Sequence, residues 1–122
     1  MSCLFDSLGY FLNIKSNKIR SIICDYLEKD NKLFDDIKTK DLLLLESKNY
    51  IKFMRKSSTW GGAIEIKSAC NIWNLKIIVK NIRTDGKKKS RIKFIPTNGI
   101  NSLTKKIKLL WNGIHYEPVY KN

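Results

Sequence analysis

The strongest constraint on this chain is a change of hydrophobic period at its middle. Up to Trp73 the apolar residues recur every three or four positions; from Leu75 they fall into short runs rich in Ile, Val and aromatics, separated by turn dipeptides. A helical period will not settle as a strand, nor a strand period as a helix. Helices are therefore expected first and strands afterwards, which is an α+β architecture and not alternating βαβ units.

In the first half, Leu4, Phe5, Leu8, Phe11 and Leu12 mark an amphipathic helix beginning at or just after Cys3. SNKIRSIICDYLEKDN offers Ser16-Asn17 as cap candidates ahead of Ile19, Ile22, Ile23, Tyr26 and Leu27. LFDDI at 33–37 and DLLLLESKNYIKFMRK at 41–56 read as further helical pieces, the latter offering Leu44, Leu45, Tyr50, Ile51 and Met54 to the core. Ser57 to Gly62 interrupts the pattern before AIEIKSACNIW resumes it, with Gly62 as N-cap and Glu65 at N3 to accept from a free backbone N–H.

LKIIVKNIR, SRIKFIP, KKIKLLW and IHYEPVY are the expected strands, with hairpin-turn signals at Asp85-Gly86 and Asn112-Gly113. The 122 residues suit one domain spanning 1–122. No apolar run approaches the roughly 20 residues of a membrane span, and no basic region precedes the first apolar residues. A soluble, cytoplasmic protein is expected, with no membrane partner.

Three cysteines without CxxC spacing point to reduced thiols, and with a single histidine they supply a zinc site poorly, so no metal is expected. The net charge of +13 raises the possibility of a nucleic-acid partner. Its 20 Lys, together with 17 Ile and 11 Asn, are residues with A/T-rich codons, so genome composition could account for much of the lysine. Lys87-Lys88-Lys89 with Arg91 and Lys93 reads most simply as a solvated hairpin tip.

The only histidine, His115, lies in GIHYEP. If Ile114 to Tyr120 is a strand, His115, Glu117 and Val119 share a face, and Glu117 can hold one ring nitrogen while the other takes a proton. Cys3 stands where the chain enters its first helix, where partial positive charge favours an anionic sulfur. Cys24 and Cys70 lie among apolar helical neighbours and read as small core residues. A half-exposed strand histidine without catalytic work is the plain alternative for His115.

Four blocks taken together resemble the ovarian-tumour (OTU) cysteine protease family. SCLFDSL is similar to the family's D-G-N-C-L-F-R-A-L opening at Cys3, Leu4, Phe5 and Leu8, and NKIRSIICDYLEKDNKLF to its second-helix segment. YIKFMRKSSTWGGAIEIKSACNIWNLKIIV resembles its Y-x-x-x-M…W-G-G-x-x-E-x-x-A-x-A…I-x-V block at Tyr50, Met54, Trp60, Gly61, Gly62, Glu65, Ala69, Ile77 and Val79. WNGIHYEPV is similar to its closing H-Y-x-x-V at His115, Tyr116 and Val119. Two departures stand out: only Met1 and Ser2 precede Cys3, which fits either a compact variant without the family's early Asp, its third residue being Glu117, or a chain that begins inside a longer parent; and Glu117 stands where Asp or Asn is commoner.

The resemblance implies a papain-like OTU fold, N-terminal helices packed on a mostly antiparallel sheet, and a monomeric thiol isopeptidase without cofactor. Its partners would be ubiquitin, ubiquitin chains or ubiquitin-like modifiers. It assigns Cys3 as nucleophile, His115 as base and Glu117 as third member, with the backbone of Ser2 and Cys3 facing the oxyanion. Trp60, Gly61 and Gly62, with Tyr116, would border the substrate channel; equally open is Trp60 as a core anchor with the glycines merely starting a helix. Two other readings are an inactive OTU-like module that docks ubiquitin and, less favoured, a basic nucleic-acid binder. By analogy, small size and A/T-rich usage suit a viral or intracellular-pathogen effector in host cytoplasm.

Overall fold

The computed structural model describes residues 3–82 and 90–119. Helix α1 (Cys3–Leu12) buries Leu4, Phe5 and Leu8 along one stripe. It ends where Asn13 turns left-handed at φ 57° and the Gly9 carbonyl accepts the N–H groups of Asn13 at 2.8 Å and Ile14 at 3.3 Å. A Cβ on Gly9 would lie 2.4 Å from the Ile14 carbonyl oxygen, so only glycine allows this return. The tight return starts α2 (Ser16–Glu28) a residue early: Lys15, extended and without a side-chain cap bond, takes the cap position expected for Ser16-Asn17.

Helix α2 buries Ile19, Ile23, Cys24 and Leu27, and also Arg20. The Arg20 guanidinium lies 4.2 Å from the Phe5 ring centroid and donates to the Met54 carbonyl at 2.7 Å, so a buried cation finds a π face and an acceptor. Residues 33–37 are not helical. Phe34 and Ile37 form a single antiparallel bridge around Asp35-Asp36, because two turn-forming aspartates in so short a segment outweigh one apolar turn of helix.

The long pattern at 41–56 also divides, into α3 (Thr39–Glu46) and α4 (Tyr50–Met54). Ser47 is extended and its hydroxyl accepts the Asn49 N–H at 3.3 Å, a local bond that competes with helix continuation. The break changes the helical phase: Leu43 is buried, whereas Leu44 and Leu45 are 54% and 76% exposed and do not join the core.

Helix α5 (Ala63–Trp73) is buried along most of its length, from Ile64 through Cys70. It stops at left-handed Asn74, whose N–H returns to the Cys70 carbonyl. Asn74 then accepts the Lys105 N–H at 3.1 Å and, through Oδ1, the Thr104 hydroxyl at 2.9 Å, which aligns the starts of two strands.

Those strands are β1 (Leu75–Asn81) and β3 (Lys105–Trp111), and with β2 (Ser90–Phe94) and β4 (Tyr116–Pro118) they form a sheet of order β2-β1-β3-β4. The outer pairs are antiparallel, as the turn signals indicate, and Asn112-Gly113 joins β3 to β4 with Gly113 at φ 100°. Asp85-Gly86 lies outside the described residues. The central β1–β3 pair is parallel, Ile77 facing Ile107, and the segment 95–104 carries the chain across. Ile77, Val79, Ile107 and Leu109 join Leu4, Phe5, Ile23 and Ile66 in one core on the helical side. Among the described residues no helix is long and apolar enough to cross a membrane.

Gly9→Ala is expected to cost about 1–3 kcal/mol, because the Ile14 carbonyl is backbone and cannot yield as a side chain would. Equilibrium urea unfolding measures it; a loss below about 0.5 kcal/mol would show that the turn relaxes freely.

Candidate active site

Cys3 is the first residue of α1 and is partly exposed; the Ser7 hydroxyl donates to its carbonyl at 2.8 Å and braces the first turn. Helix α1 packs against β4, whose first residue is Tyr116. The Tyr116 ring is half-buried and tilts against Trp111 with centroids 4.6 Å apart. Burial pushes its phenol above the ordinary range. Ser2, the other expected oxyanion donor, lies outside the described residues.

His115 directly precedes β4, which is shorter than the strand from Ile114 to Tyr120 that alternation indicates. The Asn112 carboxamide oxygen accepts the N–H groups of Ile114 at 2.9 Å and His115 at 2.7 Å, and the Asn112 N–H donates to the His115 carbonyl at 3.2 Å. The turn therefore clasps the histidine backbone before the ladder begins. Its exposed imidazole stacks on Trp60, with ring centroids 5.6 Å apart and planes 25° apart.

Glu117 is exposed and stands opposite Leu110 in the β3–β4 ladder. Among the described residues, no hydrogen bond or ion pair joins it to His115. The structure thus packs the helix of Cys3 against the strand of Tyr116 and stacks His115 on Trp60, and leaves the carboxylate near the histidine in sequence without a bond to it.

Trp60 is 41% exposed, so it stands beside the imidazole and not in the core. Gly61 seats the loop: a Cβ there would lie 2.8 Å from Leu4 Cδ2 and 2.9 Å from Phe5 Cζ, both on α1. Gly62 donates its N–H to Glu65 Oε1 at 2.7 Å, the cap bond the spacing indicates. The other carboxylate oxygen, Oε2, accepts the Tyr50 hydroxyl at 2.5 Å, a partner fifteen residues away that no local pattern discloses. Glu65 is fully buried, and burial raises its carboxyl despite the opposing bonds from Tyr50 and Gly62.

Cys24 and Cys70 are fully buried, and burial pushes both thiols up to about 11. They are core residues, as their apolar neighbours imply. Arg91 and Lys93 lie exposed on β2; Lys87, Lys88 and Lys89 fall outside the described residues.

A partly exposed thiol at the start of α1 and an exposed imidazole in the turn before β4 are carried on elements that pack together in an α+β frame. The family model described as OTU-like cysteine protease matches residues 2–117, and the chain belongs to that family. Ubiquitin thioesterase OTU1 of Drosophila pseudoobscura pseudoobscura is 30% identical over 125 aligned positions, covering 98% of this chain and 32% of that protein. The chain thus spans about a third of the length of that relative. The OTUD1 OTU domain superposes with a TM-score of 0.75 at 16% identity, covering 98% of this chain and 79% of the other. An OTU deubiquitinase from Wolbachia pipientis wMel bound to ubiquitin gives 0.68 at 18% identity, covering 98% and 90%.

Two outcomes are expected. Brief treatment of the native protein with iodoacetamide near pH 8 adds one alkyl group, at Cys3, by peptide mass mapping; labelling of Cys24 or Cys70 at a matching rate would contradict their burial. For Glu65, a raised folded-state carboxyl means the folded protein holds that proton more tightly than the unfolded chain, so its stability contribution falls as pH rises above the ordinary value of 4.5. The stability of the wild type relative to Glu65→Gln should therefore decline as pH rises through that window, read from urea midpoints; a gap that moves the other way contradicts it.

Proposed function

We propose that this chain is a thiol-dependent deubiquitinase that cleaves isopeptide bonds at the C-terminus of ubiquitin or a ubiquitin-like modifier. The observation that carries the reading is a partly exposed cysteine opening α1, packed beside the strand that begins just after the Trp60-stacked His115. Family membership and the ubiquitin bound to the Wolbachia relative support the substrate class. Three free cysteines, two of them buried, support work in a reducing cytoplasm.

In this reading His115 takes the Cys3 thiol proton as the sulfur attacks the carbonyl of the modifier's C-terminal glycine. Backbone N–H groups at Ser2 and Cys3 hold the tetrahedral oxyanion. The intermediate collapses, the target lysine amine departs with the proton from His115, and a thioester remains on Cys3. Water, deprotonated by His115, releases the modifier and restores the thiol. Glu117 is the third member, set to orient the imidazole; Trp60 fixes the ring plane, and with Gly61, Gly62 and Tyr116 it borders the channel for the modifier's tail.

Ubiquitin carrying a C-terminal electrophile tests this, with an adduct on Cys3 expected by intact mass and peptide mapping. Binding without an adduct would favour an inactive docking module, a reading to which the unbonded Glu117 lends weight. Turnover of a ubiquitin C-terminal fluorogenic amide should vanish in Cys3→Ala and fall about 10²-fold in Glu117→Ala. Near-normal turnover in the glutamate variant would remove Glu117 from the machinery.

A further inference from the structure

The sheet has two unlike faces. On β1, Ile77 and Val79 enter the core; Ile78 does not belong to it, yet is only 5% exposed. The registers explain how. Ile78 faces Lys93 on β2 and Lys108 on β3, and Lys76 and Lys80 lie two residues to either side on β1. Long cationic side chains lay their aliphatic stems over such a residue and keep their heads in water. Lys106 beside Lys76, and Arg91 beside Lys80, extend the cluster to six cations on one face.

None of the six takes part in the ion pairs found among the described residues, which join Lys32 to Asp35 and Arg55 to Asp25 and Glu28. Like charges directly opposite each other on a sheet cost stability. Codon usage does not explain the pattern. Residues 1–74 hold 12 cations and 9 acids, and residues 75–122 hold 12 cations and 2 acids, so the sheet half carries +10 of the +13. Each portion holds 10 Lys, in 74 residues before the sheet and 48 from its start, so the sheet portion is both denser in lysine and nearly without acid.

We propose that this face docks an acidic polypeptide segment of the conjugated target protein, next to the lysine being released. The inference rests on the deubiquitinase reading above and names its substrate preference. The face is continuous with the site: β4 begins immediately after His115, and its Glu117, with Leu110 opposite it on β3, lies on the cationic side of the sheet. The cations stand about 4.8 Å apart across strands and roughly 6.7 Å apart along them, which suits carboxylates alternating along an extended chain. Among the described residues no aromatic side chain stands between these cations for bases to stack on, which disfavours single-stranded nucleic acid. Several weak, solvent-exposed pairs acting together fit a salt-sensitive gain in KM, leaving the chemical step alone.

The test compares two ubiquitin–lysine isopeptide conjugates, one with an Asp/Glu tract beside the lysine and one with Ser/Gly, with wild type and a Lys106→Glu/Lys108→Glu variant. The ubiquitin fluorogenic amide, which has no target segment, reports the site alone. The wild type should favour the acidic conjugate by about tenfold in kcat/KM, mostly through KM, and lose that preference in high salt. The variant should lose it at low salt while keeping amide turnover and at least wild-type stability. Equal rates on both conjugates with normal amide turnover would overturn the docking inference and leave the enzyme reading intact.

Absent amide turnover would instead defeat the enzyme reading. Docking is then read by fluorescence anisotropy of the free acidic and neutral peptides, and no salt-sensitive preference for the acidic one overturns it. Stronger binding to a mixed-sequence DNA duplex or to anionic lipid vesicles than to the acidic peptide also overturns it.

Discussion

The contact between Gly61 and the first turn of α1 is where the distant parts of the site meet. Leu4 and Phe5 fill the space a side chain would need, so the loop backbone lies directly on the helix that begins with Cys3. One residue earlier, Trp60 reaches the imidazole; one residue later, Gly62 is tied to buried Glu65. Phe5 in turn lies under Arg20, which is bonded to the end of α4. Three segments far apart in sequence are thereby fixed relative to one another by packing and a few buried bonds, without a disulfide.

Buried polar groups recur along this path, and each is answered. Arg20 has a carbonyl and an aromatic face, Glu65 a tyrosine hydroxyl and a backbone N–H, and no buried side-chain polar atom among the described residues lacks a partner. Such a network costs desolvation and returns a defined geometry, because leaving any one member unpaired is expensive. The outer face of the sheet is built on the other principle: its six cations take part in no ion pair among the described residues.

Much of this was legible in the sequence, through features that act locally. The change of period located the helices and strands, Asn112-Gly113 the turn before β4, and Gly62 with Glu65 the start of α5. What escaped depends on distance or phase. Periodicity says nothing about which strand pairs with which, so the parallel β1–β3 pair was invisible. The pattern over 41–56 breaks at Ser47, and Leu43 is buried while Leu44 and Leu45 are exposed. Alternation extended the last strand over His115, where side-chain bonds from Asn112 hold the chain in a turn. The Tyr50–Glu65 bond joins residues whose types are common and whose spacing carries no signal. Trp60, by contrast, was singled out by the family resemblance, and its exposure and stacking show where it stands.

The central claim is that the seat of Gly61 on α1 holds Trp60 against His115. Proton NMR measures this directly through nuclear Overhauser contacts between the Trp60 indole and the His115 imidazole. The contacts should be present in the wild type and lost or strongly weakened in Gly61→Ala, while those within the β1–β3 pair persist. Contacts of undiminished strength in the alanine variant, or none in the wild type, would contradict it.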